Sequence, residues 1–268
     1  MGGYPVRNTP LPVSLPIWQE LLVGVEILYL KISPLYWGYG IPEGDGSAVV
    51  VVPAFLGSDR YLTELCSWLR RIGYRPYSSG IRVNAECPNL LIRRHVADAI
   101  KKAYRDTGRR KVHLIGHSLG GLIARAAAAQ APNHVASVIT LGAPLGGLSV
   151  HSAIEQMARS VRKEILERNG PDVLPTCYTP ACTCSFVESL ALSDLGPVRQ
   201  TAVYTKTDGI LDWRVSRTGD PAIDVEVSTT HLGLVFSPLA YEAIANRLFA
   251  ARVPERKARR GKPTRRAA

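Results

Sequence analysis

The sequence lacks the features that would place it in the membrane or mark it for secretion. It has no run of about 20 uninterrupted apolar residues, the length needed to cross a bilayer. The nearest approach, residues 17–32, is interrupted by Glu20, Glu26 and Lys31. No segment combines a basic start, an apolar middle and a small-residue cleavage site, as a secretory signal does. We therefore expect a cytoplasmic protein, with membrane association through residues 17–32 or the basic C-terminal segment as the alternative.

Paired metal ligands and an even number of cysteines are also missing. Five cysteines leave one without a partner, and no second ligand pair or suitably spaced histidine follows the group at 177–184. Reduced thiols and no metal are the expectation, with a local disulfide in a surface insertion as the alternative. The cysteines whose redox state stays open are Cys66, Cys87, Cys177, Cys182 and Cys184.

Acidic residues are scarce, and most of the excess of positive charge lies at one end of the chain. The formal net charge is +11, of which residues 252–268 carry +7. That segment contains no aromatic residue, so we expect a solvated, disordered tail rather than a nucleic-acid site. The functional alternative for this tail is weak attraction to anionic lipid or nucleic acid.

Regular alternation of apolar strands and amphipathic helices predicts one α/β domain over residues 47–251. The β-branched run at 47–53 is typical of a central parallel strand buried on both faces. Strand and helix patterns then alternate, which predicts a doubly wound, mostly parallel sheet. Residues 1–46 are interpreted as an irregular lead-in followed by a helix, over 17–32, that docks on this domain.

Residues 148–196 break that alternation. An amphipathic helix pattern ends at Gly170 and Pro171, and a cysteine-containing loop follows. An insertion at this point would hang over the strand ends, so we interpret it as a cap or lid that walls the substrate pocket. The alternative is a surface decoration without a catalytic role.

The stretch from 111 to 129 carries the clearest functional signal. A short apolar strand pattern stops at Gly116, and an alanine-rich helix pattern begins at Leu119 with no linker between them. Ser118 lies at the junction, inside a G-x-S-x-G pattern that predicts a nucleophile elbow. So sharp a turn strains the serine backbone and leaves no room for side chains two residues on either side.

A serine nucleophile needs a histidine base, and the base needs a carboxylate. Of the six histidines, only His231 lies in a loop between the last strand pattern and the final helix pattern. Asp208 follows the preceding strand, so the chain order Ser118, Asp208, His231 is the one expected on such a sheet. Asp212 is the rival carboxylate, and its position beside Trp213 indicates that it orients the loop instead.

The oxyanion formed during acyl transfer needs two preorganised N–H donors. One is expected to be the backbone N–H of Leu119, just after the nucleophile. The other should come from the loop after the early strand, where Phe55 is the candidate. Because both donors are backbone groups, the two side chains are interpreted as pocket walls.

With these motifs in view, the chain resembles an α/β-hydrolase of the bacterial lipase and esterase kind. The resemblance rests on VVVPAFLGSD, VHLIGHSLGGLIAR, VITLGAPLGG, VYTKTDGILDW and STTHLGLVFSP, which lie between residues 47 and 251. It implies cofactor-independent hydrolysis of a carboxylic ester or lipid, with Ser118 as nucleophile, His231 as base and Asp208 as its partner. Where many relatives have His-Gly before the oxyanion residue, this chain has Pro53-Ala54.

Two other functions use the same residues or the same pocket. An acyltransferase would employ the same triad and differ only in excluding water from the acyl-enzyme. A non-catalytic lipid-binding protein would have no need for all three of Ser118, Asp208 and His231. We therefore predict an esterase or lipase.

Overall fold

The computed structural model describes residues 15–147, 150–179 and 181–252. Within them, six parallel strands form one sheet in the order β2-β1-β3-β4-β5-β6. The strands are β1 (Ala48–Val52), β2 (Arg75–Ser78), β3 (Val112–His117), β4 (Val135–Leu141), β5 (Arg199–Tyr204) and β6 (Asp224–Glu226). The predicted doubly wound parallel sheet is confirmed.

Helices cover both faces of the sheet, as the uniformly apolar central strands require. The helices are α1 (Val23–Ile32), α2 (Thr63–Arg71), α3 (Pro88–Leu91), α4 (Ala97–Asp106), α5 (Leu119–Gln130), α6 (Ser152–Asn169), α7 (Ser185–Leu190) and α8 (Pro238–Ala250). A π-helical turn, Ile92–Val96, joins α3 to α4.

Successive side chains of β1 enter two different hydrophobic cores, one on each face of the sheet. Val49 and Val51 pack with α2 and α8 on one face, whereas Val50 and Val52 pack with α4 and α5 on the other. All five residues of β1 are buried. The central strands are thus fixed on both sides, and their carboxyl ends provide a rigid edge for the loops that carry the site.

The predicted cap range divides into two parts with different packing. The side chains of α6 at Val161 and Ile165 form a small cluster with Cys87 and Cys177, and Phe55 packs against that cluster. By contrast, α7 packs on α5, with Phe186 and Leu190 in the main core. The first part therefore lies against the loop that follows β1.

A buried arginine of α5 anchors the second part. The Arg125 guanidinium donates to the backbone carbonyls of Leu190, at 3.2 Å, and Leu192, and to the side chain of Gln200 at 3.1 Å. A buried guanidinium requires hydrogen-bond acceptors, and these oxygens supply them to Arg125 in an otherwise apolar layer.

Residues 17–32 are helical, and the first part of this segment is a 3-10 helix. This part, Ile17–Leu22, leads directly into α1. A second 3-10 turn, Pro34–Trp37, packs through Tyr36 into the α2 and α8 core. Within the described ranges, no helix is long and apolar enough to cross a bilayer. The lead-in over 1–13 and the basic tail, apart from Arg252, lie outside the described residues.

All five cysteines are free thiols. Cys182 and Cys184 have their sulfur atoms 3.5 Å apart. The Cys177 thiol instead hydrogen-bonds the sulfur of Cys87, which precedes α3, and this bond lowers the pKa of Cys87. The described residues contain no group of histidine, cysteine or carboxylate side chains that could hold a metal ion.

Candidate active site

The turn from β3 into α5 places Ser118 at the carboxyl edge of the sheet. Ser118 has φ 53° and ψ −123°, a strained conformation for a residue with a Cβ. A Cβ on Gly116 would lie 2.2 Å from the Gly120 carbonyl oxygen, and one on Gly120 would lie 2.3 Å from the Pro53 carbonyl oxygen. The glycines of the G-x-S-x-G pattern are therefore required by close backbone approach.

Asp208 and His231 meet across the loops that follow β5 and β6. The carboxylate Oδ2 of Asp208 lies 2.6 Å from Nδ1 of His231, and both side chains are buried. The other oxygen, Oδ1, accepts the backbone N–H groups of Ile210 at 2.9 Å and Leu211 at 2.7 Å. The Asp208 carboxylate is therefore held by its own loop in the orientation that fixes the His231 tautomer.

The electrostatic surroundings of His231 favour its protonated form. Burial alone lowers the pKa of His231, but the adjacent Asp208 carboxylate, with a smaller contribution from Glu20, outweighs burial and raises it. An imidazole with a raised pKa accepts a proton more readily, which suits a general base.

Asp212 has a separate structural role. Its Oδ1 accepts the backbone N–H of Arg214 at 3.1 Å and the Arg214 Nε at 2.9 Å. This bonding starts the 3-10 turn Trp213–Ser216. The structure thus brings Asp208, and not its rival, to the histidine.

The loop after β1 is held by bonds on either side of the predicted oxyanion donor, Phe55. The Asn84 side chain donates to the Pro53 carbonyl at 2.7 Å, the Ala54 N–H donates to the Tyr61 hydroxyl at 2.9 Å, and the Leu56 N–H donates to the Asn84 carbonyl at 2.9 Å. Among the described residues, the Phe55 N–H has no acceptor. Leu119, the first residue of α5, has an N–H that no turn of its own helix can use.

A histidine at the open second position of the G-x-S-x-G pattern links three parts of the site. His117 Nε2 donates to the His231 carbonyl at 3.0 Å, and its Nδ1 accepts the Tyr61 hydroxyl at 2.8 Å. Burial, followed by the neighbouring His231, lowers the pKa of His117 well below its ordinary value, so the ring is neutral. A neutral imidazole can make one bond as donor and one as acceptor, as this chain of bonds requires.

Glu20 is a second residue that the sequence analysis missed. It was noted only as a charge that interrupts an apolar helix. In the structure it is buried, and its carboxylate bonds the loops of both Asp208 and His231. The sequence did contain one signal, a carboxylate on an otherwise apolar stretch. If that stretch packs on the domain, the charge is buried and needs compensating partners.

The sheet order and the strand-to-helix turn at Ser118 are those of the α/β-hydrolase fold. A family model described as the alpha/beta hydrolase fold matches residues 73–173, which include this turn. Over these residues the chain is similar to that family.

Known proteins similar to this chain include two bacterial lipases. A triacylglycerol lipase of Burkholderia plantarii is 31% identical over 147 residues, which are 52% of this chain and 41% of that protein. A triacylglycerol lipase of Pseudarthrobacter phenanthrenivorans is 31% identical over 120 residues, 42% of this chain and 37% of that protein. The chain thus spans about two fifths of the length of these relatives.

Solved structures show the same fold at lower identity. The pyrethroid hydrolase PytH superposes with a TM-score of 0.50 and 18% identity, over 77% of this chain and 98% of that one. At this identity the likeness shows the fold alone.

Proposed function

We propose that this protein cleaves carboxylic esters through an acyl-enzyme on Ser118. The observation that carries the proposal is the buried Asp208–His231 pair, 2.6 Å apart, on the same sheet edge as a serine in the strained elbow conformation. The similarity to proteins named triacylglycerol lipase supports an ester or lipid as substrate.

The proposed reaction has two half-reactions. His231 takes the hydroxyl proton while Ser118 Oγ attacks the ester carbonyl, and the N–H groups of Phe55 and Leu119 bind the resulting oxyanion. The carbon–oxygen bond to the alcohol then breaks, and His231 returns the proton to the leaving alcohol. Water, deprotonated by the same histidine, hydrolyses the acyl-serine. No cofactor or metal takes part in this scheme.

The cap range contributes a wall to the proposed acyl pocket. The side chain of Phe55 packs against the cluster formed by α6 and the loop around Cys177. The acyl group would therefore lie between the oxyanion loop and α6. Water exclusion by this wall would decide between hydrolysis and transfer to another acceptor.

Matched aspartate variants test the proposal, since Asp208 and Asp212 are both buried in one loop. With p-nitrophenyl esters of increasing acyl length, we expect Asp208→Asn to lose about 10⁴-fold in kcat. Asp212→Asn should lose far less, because Asp212 contacts Arg214 and not His231. Equal losses would contradict the assignment. Formation of a new ester with an added alcohol, in place of free acid, would favour the acyltransferase alternative.

We also infer that this protein docks on a lipid surface through the outer face of residues 17–32. Every exposed residue of this stretch is apolar or glycine, and charged residues are confined to its half-buried or buried side. The exposed apolar side chains are Ile17, Trp18, Leu21, Leu22, Val25, Leu28, Tyr29 and Ile32.

The composition and position of this face favour lipid as its occupant. An uncharged face that includes Trp and Tyr matches the interfacial region of a bilayer, where amphipathic rings are favoured. The other side of the same stretch bonds the His231 loop through Glu20. Docking there would bring a lipid surface beside the catalytic loops, where a water-insoluble ester would be held.

A further inference from the structure

A single buried carboxylate joins the loops that carry the proposed acid and base. Glu20 lies on the 3-10 helix Ile17–Leu22 and is 6% exposed. Its Oε1 accepts the backbone N–H groups of Gly209 at 2.9 Å and His231 at 3.0 Å, and its Oε2 accepts the N–H of Leu232 at 2.7 Å. These three N–H donors lie about 190 to 210 positions after Glu20 in the sequence.

The positions of these partners matter for the chemistry. Gly209 directly follows Asp208, and His231 is the proposed base itself. Each loop is thus bonded within one residue of its catalytic side chain. Gly209 allows the close approach, because a Cβ there would lie 2.9 Å from Glu20 Oε1 and 2.8 Å from the Pro16 carbonyl oxygen.

Burying this carboxylate costs solvation energy that a surface position would keep. In the described part of the chain no lysine or arginine forms an ion pair with Glu20. Three charge-assisted bonds from backbone N–H groups compensate the charge instead. The negative charge therefore remains electrostatically effective at the neighbouring imidazole.

We propose that Glu20 is a positioning residue of the active site, which sets the separation of the Asp208 and His231 loops and stabilises the protonated histidine formed during acyl transfer. It touches neither substrate nor reacting atoms and acts through the backbone of His231. This inference rests on the proposed ester hydrolysis.

Glu26 provides an internal control on the same helical stretch. Its carboxylate accepts the backbone N–H of Thr230 at 2.9 Å and the Thr230 hydroxyl at 2.8 Å, and it also accepts the Thr229 hydroxyl. Both glutamates therefore dock the N-terminal helices on the loop after β6. Only Glu20 bonds His231 itself and the loop of Asp208.

The test compares Glu20→Gln with Glu26→Gln in kcat, KM, the pH profile of kcat/KM and the urea midpoint of unfolding. Gln keeps the shape of Glu but removes the charge. Its amide NH2 replaces one carboxylate oxygen, so at least one backbone N–H group faces a donor and loses its acceptor. For Glu20→Gln we expect kcat to fall about 10- to 100-fold with KM within about twofold, since small displacements of catalytic groups cost this much.

The pH profile separates positioning from docking. The groups that face His231 are Asp208, Glu20 and His117. Removing the charge of Glu20 lowers the pKa of His231, so the acid limb of kcat/KM should move to lower pH in Glu20→Gln and stay unmoved in Glu26→Gln. Glu20→Asp keeps the charge and should restore the wild-type limb while kcat stays low, and it provides the comparison if Glu20→Gln does not fold.

If kcat falls equally in Glu20→Gln and Glu26→Gln, and the acid limb of kcat/KM moves in neither, then Glu20 only docks the helix. That result would overturn the proposal. An active wild type whose Glu20 variants retain full kcat would overturn it as well. A folded wild type that neither hydrolyses esters nor reacts with a fluorophosphonate would instead contradict the proposed function, so the two failures are distinguishable.

Discussion

The imidazole ring of His117 lies against that of His231, with centroids 4.9 Å apart, and its Nε2 donates to the His231 backbone carbonyl. The residue before the proposed nucleophile thus holds the residue proposed as its base. Through Tyr61 the same ring also reaches Ala54, next to the proposed oxyanion donor. Serine, base and oxyanion loop are consequently positioned by one chain of hydrogen bonds.

The hydroxyl of Tyr61 is expected to be important for both stability and activity. Tyr61→Phe leaves the Ala54 N–H and His117 Nδ1 unpaired in a buried site, which should cost about 1–3 kcal/mol of unfolding free energy. A less well fixed oxyanion loop should also lower kcat. Urea unfolding and ester hydrolysis measure the two effects, with Tyr104→Phe as control because the Tyr104 ring packs on His134 away from the site. Wild-type behaviour of Tyr61→Phe would contradict the role of this chain of bonds.

The pH dependence of activity should follow the raised pKa of His231. The histidine must be neutral to accept the Ser118 proton, so kcat/KM should be lost as pH falls through a value above the ordinary 6.5. In Asp208→Asn the residual activity should have its acid limb at lower pH, because the carboxylate that raises the pKa is gone. Measuring kcat/KM from acid to neutral pH checks this, and an acid limb that moves upward would refute the assignment of Asp208.

Gly120→Ala should destabilise the fold more than a glycine substitution elsewhere. The added Cβ would lie 2.3 Å from the Pro53 carbonyl oxygen and 2.4 Å from that of Val52, both backbone atoms that cannot rotate away. Overpacking of this kind costs about 1–3 kcal/mol or more. Gly170→Ala is the control, since nothing lies within 4 Å of its added Cβ. Equal unfolding midpoints for the two variants would show that the elbow tolerates side chains.

Binding to lipid should depend on the exposed face of residues 17–32. The double substitution Leu21→Asp and Val25→Asp places charges on side chains that are 82% and 65% exposed. We expect it to abolish co-sedimentation with zwitterionic phospholipid vesicles while hydrolysis of a soluble ester continues. Leu239→Asp, on the exposed side of α8, should bind like wild type. A concentration-dependent dimer that the double variant disrupts, without vesicle binding, would assign this face to a second copy instead.

The sheet and the elbow could be predicted because their signals are local. The run at 47–53 and the strand-to-helix junction at Ser118 are fixed by nearest neighbours and by the steric demands of glycine. Asp208 and His231 could be selected by chain order, since loops at the same edge of a parallel sheet meet.

Other features depend on contacts between distant parts of the chain. Glu20 pairs with backbone groups about 190 or more positions away, and backbone N–H groups carry no mark in a sequence. His117 occupies a position that the elbow pattern leaves open, so its bonds to Tyr61 and His231 had no motif to indicate them. The packing of α7 on α5 likewise depends on Arg125, whose burial only the folded chain reveals.

Intact-protein mass after incubation with a fluorophosphonate tests the central claim most directly. A single adduct on the wild type, absent from Ser118→Ala and from His231→Ala, is the predicted result, because phosphonylation needs both the serine and its base. A folded wild type without an adduct, or an adduct that persists in Ser118→Ala, would contradict the assignment of Ser118 as an activated nucleophile.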